Sequence, residues 1–66
     1  MTQDVEIMTL WRTAYETCEL VWGRFSGYHL KLWSKHRLIL DEIMYDVESA
    51  VRRAAELRAD LPRLAE

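Results

Sequence analysis

Residues that break helices are scarce in this chain, and their positions limit what it can form. The 66 residues include one proline, Pro62, and two glycines, Gly23 and Gly27. Proline and glycine interrupt helices, and helix formers dominate the remaining positions. These positions therefore predict two long segments separated by a turn at about 24–27. The second segment should end near residue 61, because the residue before a proline is disfavoured in a helix.

Apolar residues in both segments recur at alternating steps of three and four, which is typical of an amphipathic helix. In the first segment the stripe consists of Met8, Trp11, Tyr15, Cys18, Trp22 and Phe25. In the second segment it consists of Trp33, His36, Leu40, Ile43, Val47, Ala50, Ala54, Leu57, Leu61 and Leu64. The sequence therefore predicts an all-α fold. We expect one small domain over residues 1–66, a helical hairpin with helices over about 4–23 and about 28–61.

Two other helical arrangements remain open at this point. From Phe25 through His29 to Trp33 the steps are four and four, and this change of phase beside the glycines favours a turn. Without a turn there, the chain would form one continuous helix, although Asp46 then interrupts the apolar stripe. A break near 46–49 would give three helices.

Composition narrows the class of protein. A chain this short gains little stability from its own core, and small proteins usually add disulfides, a metal or a partner subunit. The lone Cys18 cannot form an internal disulfide, and no Cys/His set has the spacing of a structural zinc site. A partner chain is the remaining support. No segment reads as a membrane span or a secretion signal, so a cytoplasmic location is expected.

The predicted partner surface lies on the second helix. The first helix is too short to cover the second beyond about Val47, so an apolar stripe would remain uncovered, and such a stripe favours association. Its residues are Ala50, Val51, Ala54, Leu57 and Leu61, with Arg53 and Arg58 at the rim. We expect a non-enzymatic interaction or regulatory protein that binds a protein partner, such as a larger machine that it inhibits, or itself. Self-association would give a homodimer, as a four-helix bundle or a coiled coil.

A second hypothesis rests on positive charge near the turn. The basic residues there are Arg24, Lys31, Lys35 and Arg37, and they predict an anion site for nucleic-acid phosphate. The net charge of −2 gives the whole chain no attraction to nucleic acid, so binding would depend on this patch.

A third hypothesis is an enzyme or cofactor protein assembled across a dimer. Its side chains would be Glu16, Glu19, His29 and His36. No Glu-x-x-His pair occurs, and Cys18 falls on the apolar stripe beside an acidic residue. The sequence therefore predicts no catalytic residue, no metal and no cofactor.

Overall fold

The computed structural model describes residues 5–61, which form a four-stranded antiparallel sheet and one helix. The elements are β1 Val5–Arg12, β2 Glu16–Gly23, β3 Gly27–Ser34, β4 Arg37–Met44 and α1 Val47–Ala59. The strands lie side by side in chain order, and each is antiparallel to the next. The helix α1 packs against one face of the sheet and contacts all four strands. We call this the helix face and the opposite one the open face.

The predicted all-α hairpin is wrong, and so are the coiled coil and the four-helix bundle built from it. Strands occupy most of the predicted helix over 4–23 and the first half of the one over 28–61. The expected break at the glycines exists, but it is a turn between β2 and β3. Within residues 5–61 the one helical element is α1, which begins near the alternative break at 46–49.

The physical reason for the error is a period of two that the steps of three and four concealed. Along β2 the side chains that face α1 are Cys18, Leu20 and Trp22, and the residues between them face the opposite way. Along β3 the corresponding side chains are Tyr28, Leu30 and Leu32. Residues four apart lie on one side of a strand as well as of a helix, so part of each stripe suited both structures.

The core lies between the helix face and α1. Its buried side chains are Cys18, Leu20, Leu30, Leu32, Ala50, Ala54 and Leu57. The two alanines leave room for α1 to approach the sheet closely. The Trp11 indole nitrogen donates a hydrogen bond of 2.8 Å to the carbonyl oxygen of Ala54, which ties the edge strand β1 to the helix.

The start of α1 is set by a side-chain cap. The carboxylate of Asp46 accepts a 2.7 Å hydrogen bond from the backbone nitrogen of Ser49. This hydrogen bond lowers the pKa of Asp46. An isolated helix of 13 residues is marginal in water, so α1 depends on its contacts with the sheet.

Candidate functional site

The residues predicted to bind a partner lie on α1, except Leu61, which follows it, but the chain's own sheet covers the centre of their stripe. Ala50, Ala54 and Leu57 are buried in the core. Val51 lies on the outer side of the helix and is 50% exposed, and Leu61 is half-buried. The expected uncovered stripe is therefore an intramolecular contact, because a sheet instead of a short helix faces α1.

The two predicted rim arginines also make intramolecular contacts. Arg53 donates from Nε and Nη2 to the two carboxylate oxygens of Glu42, at 2.8 and 3.0 Å, and from Nη1 to Glu56 at 3.2 Å. The hydrogen bond from Arg53 lowers the pKa of Glu42, and both carboxylates raise the pKa of Arg53. The guanidinium carbon of Arg58 lies 5.4 Å from the centre of the Trp11 ring. These contacts clamp α1 to β4 and β1.

The predicted anion site is not assembled. Arg24 lies in the turn between β2 and β3, whereas Lys35 lies in the turn at the other end of β3, about 25 Å away along the strand. Lys31 lies between them on the open face, with its Nζ 3.9 Å from Asp41. Arg37 stands opposite Ser34, in register with the helix face. The four charges were close in sequence but are distributed over both ends and both faces of the sheet.

The hypothetical enzyme or cofactor cluster is separated as well. Glu16 is buried beside the Thr13 hydroxyl, which donates to its carboxylate, whereas Glu19 lies on the open face. His29 contacts Asp41 at 3.3 Å and the carbonyl oxygen of Ser26 at 3.0 Å, far from His36 in the next turn. Within residues 5–61 no group of three or more His, Cys, Asp or Glu side chains could hold a metal ion.

Cys18 occupies the core and lacks the setting of a reactive thiol. Burial raises its pKa from an ordinary value of 9.0 to about 11, and the charge of Glu19 adds to the effect. The thiolate, which is the nucleophilic form, is therefore scarce at neutral pH.

The structure does assemble a concave site, at the end of the open face where β1, β2 and β3 meet two turns. Its volume is about 590 Å³. Its lining residues are Arg12, Thr13, Ala14, Tyr15, Thr17, Glu19, Trp33, Lys35 and His36. We call it the end pocket. It combines three basic side chains, two aromatic rings and one carboxylate.

Two turns form the wall of the end pocket and hold each other in place. The backbone nitrogen of Lys35 donates a 2.9 Å hydrogen bond to the carbonyl oxygen of Tyr15, which joins the turn after β3 to the turn after β1. The Lys35 Nζ lies 5.8 Å from the centre of the Tyr15 ring, which is itself 67% exposed. The basic and aromatic groups of the pocket are thus positioned by the backbone.

The turn after β3 carries backbone strain. Lys35 and His36 have φ values of 51° and 68°, in the left-handed region that two-residue hairpin turns require. Glycine and asparagine adopt this region readily, and other residues pay of order 1 kcal/mol each. The chain therefore places two basic side chains at the pocket mouth at a cost in stability, and strain of this kind is concentrated at functional sites.

A second exposed feature is the outer edge of β1, which has a strand neighbour on one side only among residues 5–61. Every second residue of an edge strand points its backbone N–H and C=O groups away from the sheet, where they can pair with another strand. Residues 5–9 are all exposed, including Val5 at 48%, Ile7 at 61% and Met8 at 37%. This segment of the strand has no proline and one charge, Glu6.

The open face is organised in rows that cross all four strands, because residues opposite each other on neighbouring strands point to the same side. One row is mostly apolar and consists of Ile7, Val21, His29 and Ile43. The next row is polar and consists of Thr9, Glu19, Lys31 and Asp41. The end pocket begins at Glu19 of the polar row and extends away from the apolar row.

Comparisons with protein-family models, with curated proteins and with solved structures found no match to this chain. Among the described residues there is no helix long and apolar enough to span a membrane. The β1 edge and the end pocket are therefore the candidate functional features of the described residues. Sequence reasoning missed both, and the alternation along β2 and β3 is a signal that could have revealed the hairpins on which they depend.

Proposed function

We propose that this protein is a non-enzymatic interaction protein that works as a symmetric dimer, in which β1 of one copy pairs with β1 of a second copy. The observation that carries the proposal is the exposure of five consecutive residues, 5–9, on an edge strand, three of them apolar. Pairing this edge would satisfy its free backbone groups and cover apolar side chains that otherwise face water.

The other edge of the sheet is a weaker candidate. Strand β4 carries Arg37, Asp41 and Glu42, and its pairing with β3 is irregular between Leu32 and Trp33. Charges and bulges are the usual means by which proteins keep an edge strand from pairing. The β1 segment before its own irregularity has only Glu6 to oppose association.

The register of the pairing follows from charge and from the irregularity in β1. In a continuous antiparallel sheet with the two helices on one side, the two-fold axis passes beside a residue that stands opposite its own copy. Centring on Glu6 would place two carboxylates face to face, and centring on Met8 would extend the pairing into the irregularity between Thr9 and Trp11. Centring on Ile7 uses residues 5–9 of both copies and puts Glu6 opposite Met8. We therefore assign the axis to Ile7.

A second copy is a better occupant of this edge than an unrelated strand, because the pairing makes use of the open face. With Ile7 opposite its own copy, the apolar row would continue across the axis as eight residues from two sheets. The helices and both end pockets would remain accessible. Five pairs per strand make a small interface, at or below the low end for specific complexes, so the dimer should dissociate on dilution.

The proposed location is the cytoplasm, because the single Cys18 is buried and has no second cysteine to pair with.

The experiment is a charge swap at the axis, read as solution mass by light scattering over a range of concentrations. Ile7→Lys and Ile7→Glu each place like charges opposite each other, so each variant alone should be monomeric. Mixed together, they should form a dimer with one copy of each. The matched control is Ile43→Lys, which puts the same charge in the same apolar row but on the other edge strand.

The expected result is a dimer for the original chain and for Ile43→Lys, monomers for the two Ile7 variants, and a restored dimer for their mixture. A monomeric original chain would refute the proposal. Loss of the dimer in Ile43→Lys as well would show that the open faces associate instead of the edges, and would refute it equally.

A further inference from the structure

We infer that the end pocket binds a nucleoside phosphate, with the phosphate between Arg12 and Lys35 and the base against the Tyr15 and Trp33 rings. This inference is independent of the dimer, because none of residues 5–9, which would pair, lines the end pocket. Its volume of about 590 Å³ falls within the range of small-ligand sites.

The end pocket contains positive charge that the described residues do not compensate. Within residues 5–61, Lys31, Arg52 and Arg53 each have a carboxylate within 4.0 Å. The described residues provide no such partner for Arg12 or Lys35, and both line the pocket. A phosphate oxygen accepts from both kinds of side chain, and a guanidinium suits it especially well.

Two aromatic rings lie beside these charges. The Tyr15 ring is largely exposed, and its backbone is held by a hydrogen bond between the two turns. Trp33, near the end of β3, belongs to the same lining. Bases stack on such rings without regard to their identity, since every base has a π face.

The carboxylate of Glu19 favours a nucleotide over a simple anion or an acidic peptide as the ligand. Glu19 lies in the same pocket, and the described residues provide no basic partner within 4.0 Å of its carboxylate. A carboxylate repels a ligand that is only anionic. It accepts hydrogen bonds from the amino group of a base or the hydroxyl of a sugar, and a nucleoside phosphate carries these donors together with its charge.

The backbone strain of the turn agrees with this assignment. Lys35 and His36 occupy the two left-handed positions and both line the pocket. Glycine and asparagine would fit the turn better but would supply no positive charge. The turn therefore favours charge at the pocket mouth over local stability.

Two sources could supply the same chemistry, a free nucleotide and the end of a single-stranded nucleic acid. The experiment therefore compares four probes by calorimetry: adenosine monophosphate, adenosine, inorganic phosphate and an eight-nucleotide oligodeoxyadenylate. Chemical shifts of the Trp33 indole and of the Thr17 amide report whether binding occurs in the end pocket.

Two variants test the pocket residues, and a third serves as their control. Arg12→Gln combined with Lys35→Gln should weaken binding about tenfold or more, since it removes two charge-assisted contacts. Tyr15→Leu should weaken it about fivefold or more through lost stacking. The matched control removes two charges elsewhere, with Arg24→Gln and Arg52→Gln, and should change affinity by less than about twofold.

Binding of the mononucleotide that is tighter than that of adenosine or phosphate alone, and that the pocket variants weaken, supports the inference with a free nucleotide as the source. Binding of the oligonucleotide alone, weakened in the same way, supports it with a strand as the source. The inference is overturned if phosphate binds as tightly as the nucleotide, if neither nucleotide nor oligonucleotide binds, or if the pocket variants behave like the control.

Discussion

Replacing Leu57 by aspartate distinguishes the sheet-and-helix fold from a helical hairpin most sharply. In a hairpin, Leu57 would lie on an uncovered stripe, and Leu57→Asp would abolish association while the helices persisted. In the observed fold Leu57 is 1% exposed and lies between α1 and the sheet. The same change should therefore unfold the domain.

The magnitude follows from the burial of this side chain. Truncation of a buried leucine to alanine costs about 2–5 kcal/mol, and a carboxylate in the same place adds the cost of burying a charge or of keeping it protonated. At roughly 0.05–0.15 kcal/mol per residue, 66 residues give a total stability of about 3–10 kcal/mol. Leu57→Asp should thus remove most or all of it. Leu57→Ala, at about 3 kcal/mol, should lower the melting temperature by roughly 10–25 °C.

Circular dichroism and thermal melting measure this effect. The matched control is Val51→Asp, on the exposed side of the same helix, which should change stability by less than about 0.5 kcal/mol. A Leu57→Asp protein that melts like the original chain, whatever its association state, would refute the packing of α1 described above.

Three further predictions concern the clamp on α1, the buried thiol and the strained turn. Arg53→Met should lower the free energy of unfolding by about 1 kcal/mol. Because Arg53 lowers the pKa of Glu42, the stability that this pair provides is present above the ordinary pKa of 4.5 and is lost as pH falls through the lowered pKa. Urea unfolding of the variant should therefore show a weaker dependence on acid pH. Cys18 should react with a thiol reagent only as fast as the protein opens. Since its pKa is raised to about 11, its contribution to the free energy of unfolding should be intact below pH 9 and decline as pH rises from 9.0 to about 11, and this decline should be absent in Cys18→Ala. Lys35→Asn with His36→Gly should raise the melting temperature by roughly 8–16 °C, because it relieves two left-handed residues at about 1 kcal/mol each, and an unchanged or lower melting temperature would contradict the strain assigned to this turn.

Local features of the chain were more predictable than its fold. The turn beside Gly23 and Gly27 was expected at the right place, because glycine marks a turn in either kind of structure. The residues on the buried side of α1 were also recognised as apolar contact residues. Their partner was misassigned, because sequence spacing shows which side of a helix is apolar but not what covers it.

The strands were missed because two periodicities coincide in a short chain. Trp11, Cys18 and Trp22 fit a heptad, yet Cys18, Leu20 and Trp22 alternate with residues of the open face. The alternation was the better guide, since it includes the fully buried Leu20, which the heptad left out. The high content of Val, Ile, Thr and aromatic residues in residues 5–44 pointed the same way.

The candidate sites could not be derived without the fold. Lys35 is distant in sequence from Arg12 and Tyr15, and the antiparallel pairing of β2 with β3 brings their turns to one end of the sheet, where a hydrogen bond joins them. Conversely, Arg24 and Lys35 were both expected near the turn of a helical hairpin, but they lie at opposite ends of β3. The exposed edge of β1 has no sequence signature of its own, since it depends on which strands have neighbours.

Amide hydrogen exchange, followed residue by residue, reports the sheet and the edge pairing of β1 in a single measurement. We expect slow exchange throughout β2 and β3, and at alternate amides of residues 5–9 only when the protein is concentrated enough to be dimeric. The protection of those β1 amides should disappear in Ile7→Lys and persist in Ile43→Lys, while β2 and β3 stay protected in both. Protection in β1 that is the same in the original chain and in Ile7→Lys would contradict the pairing of β1 with a second copy.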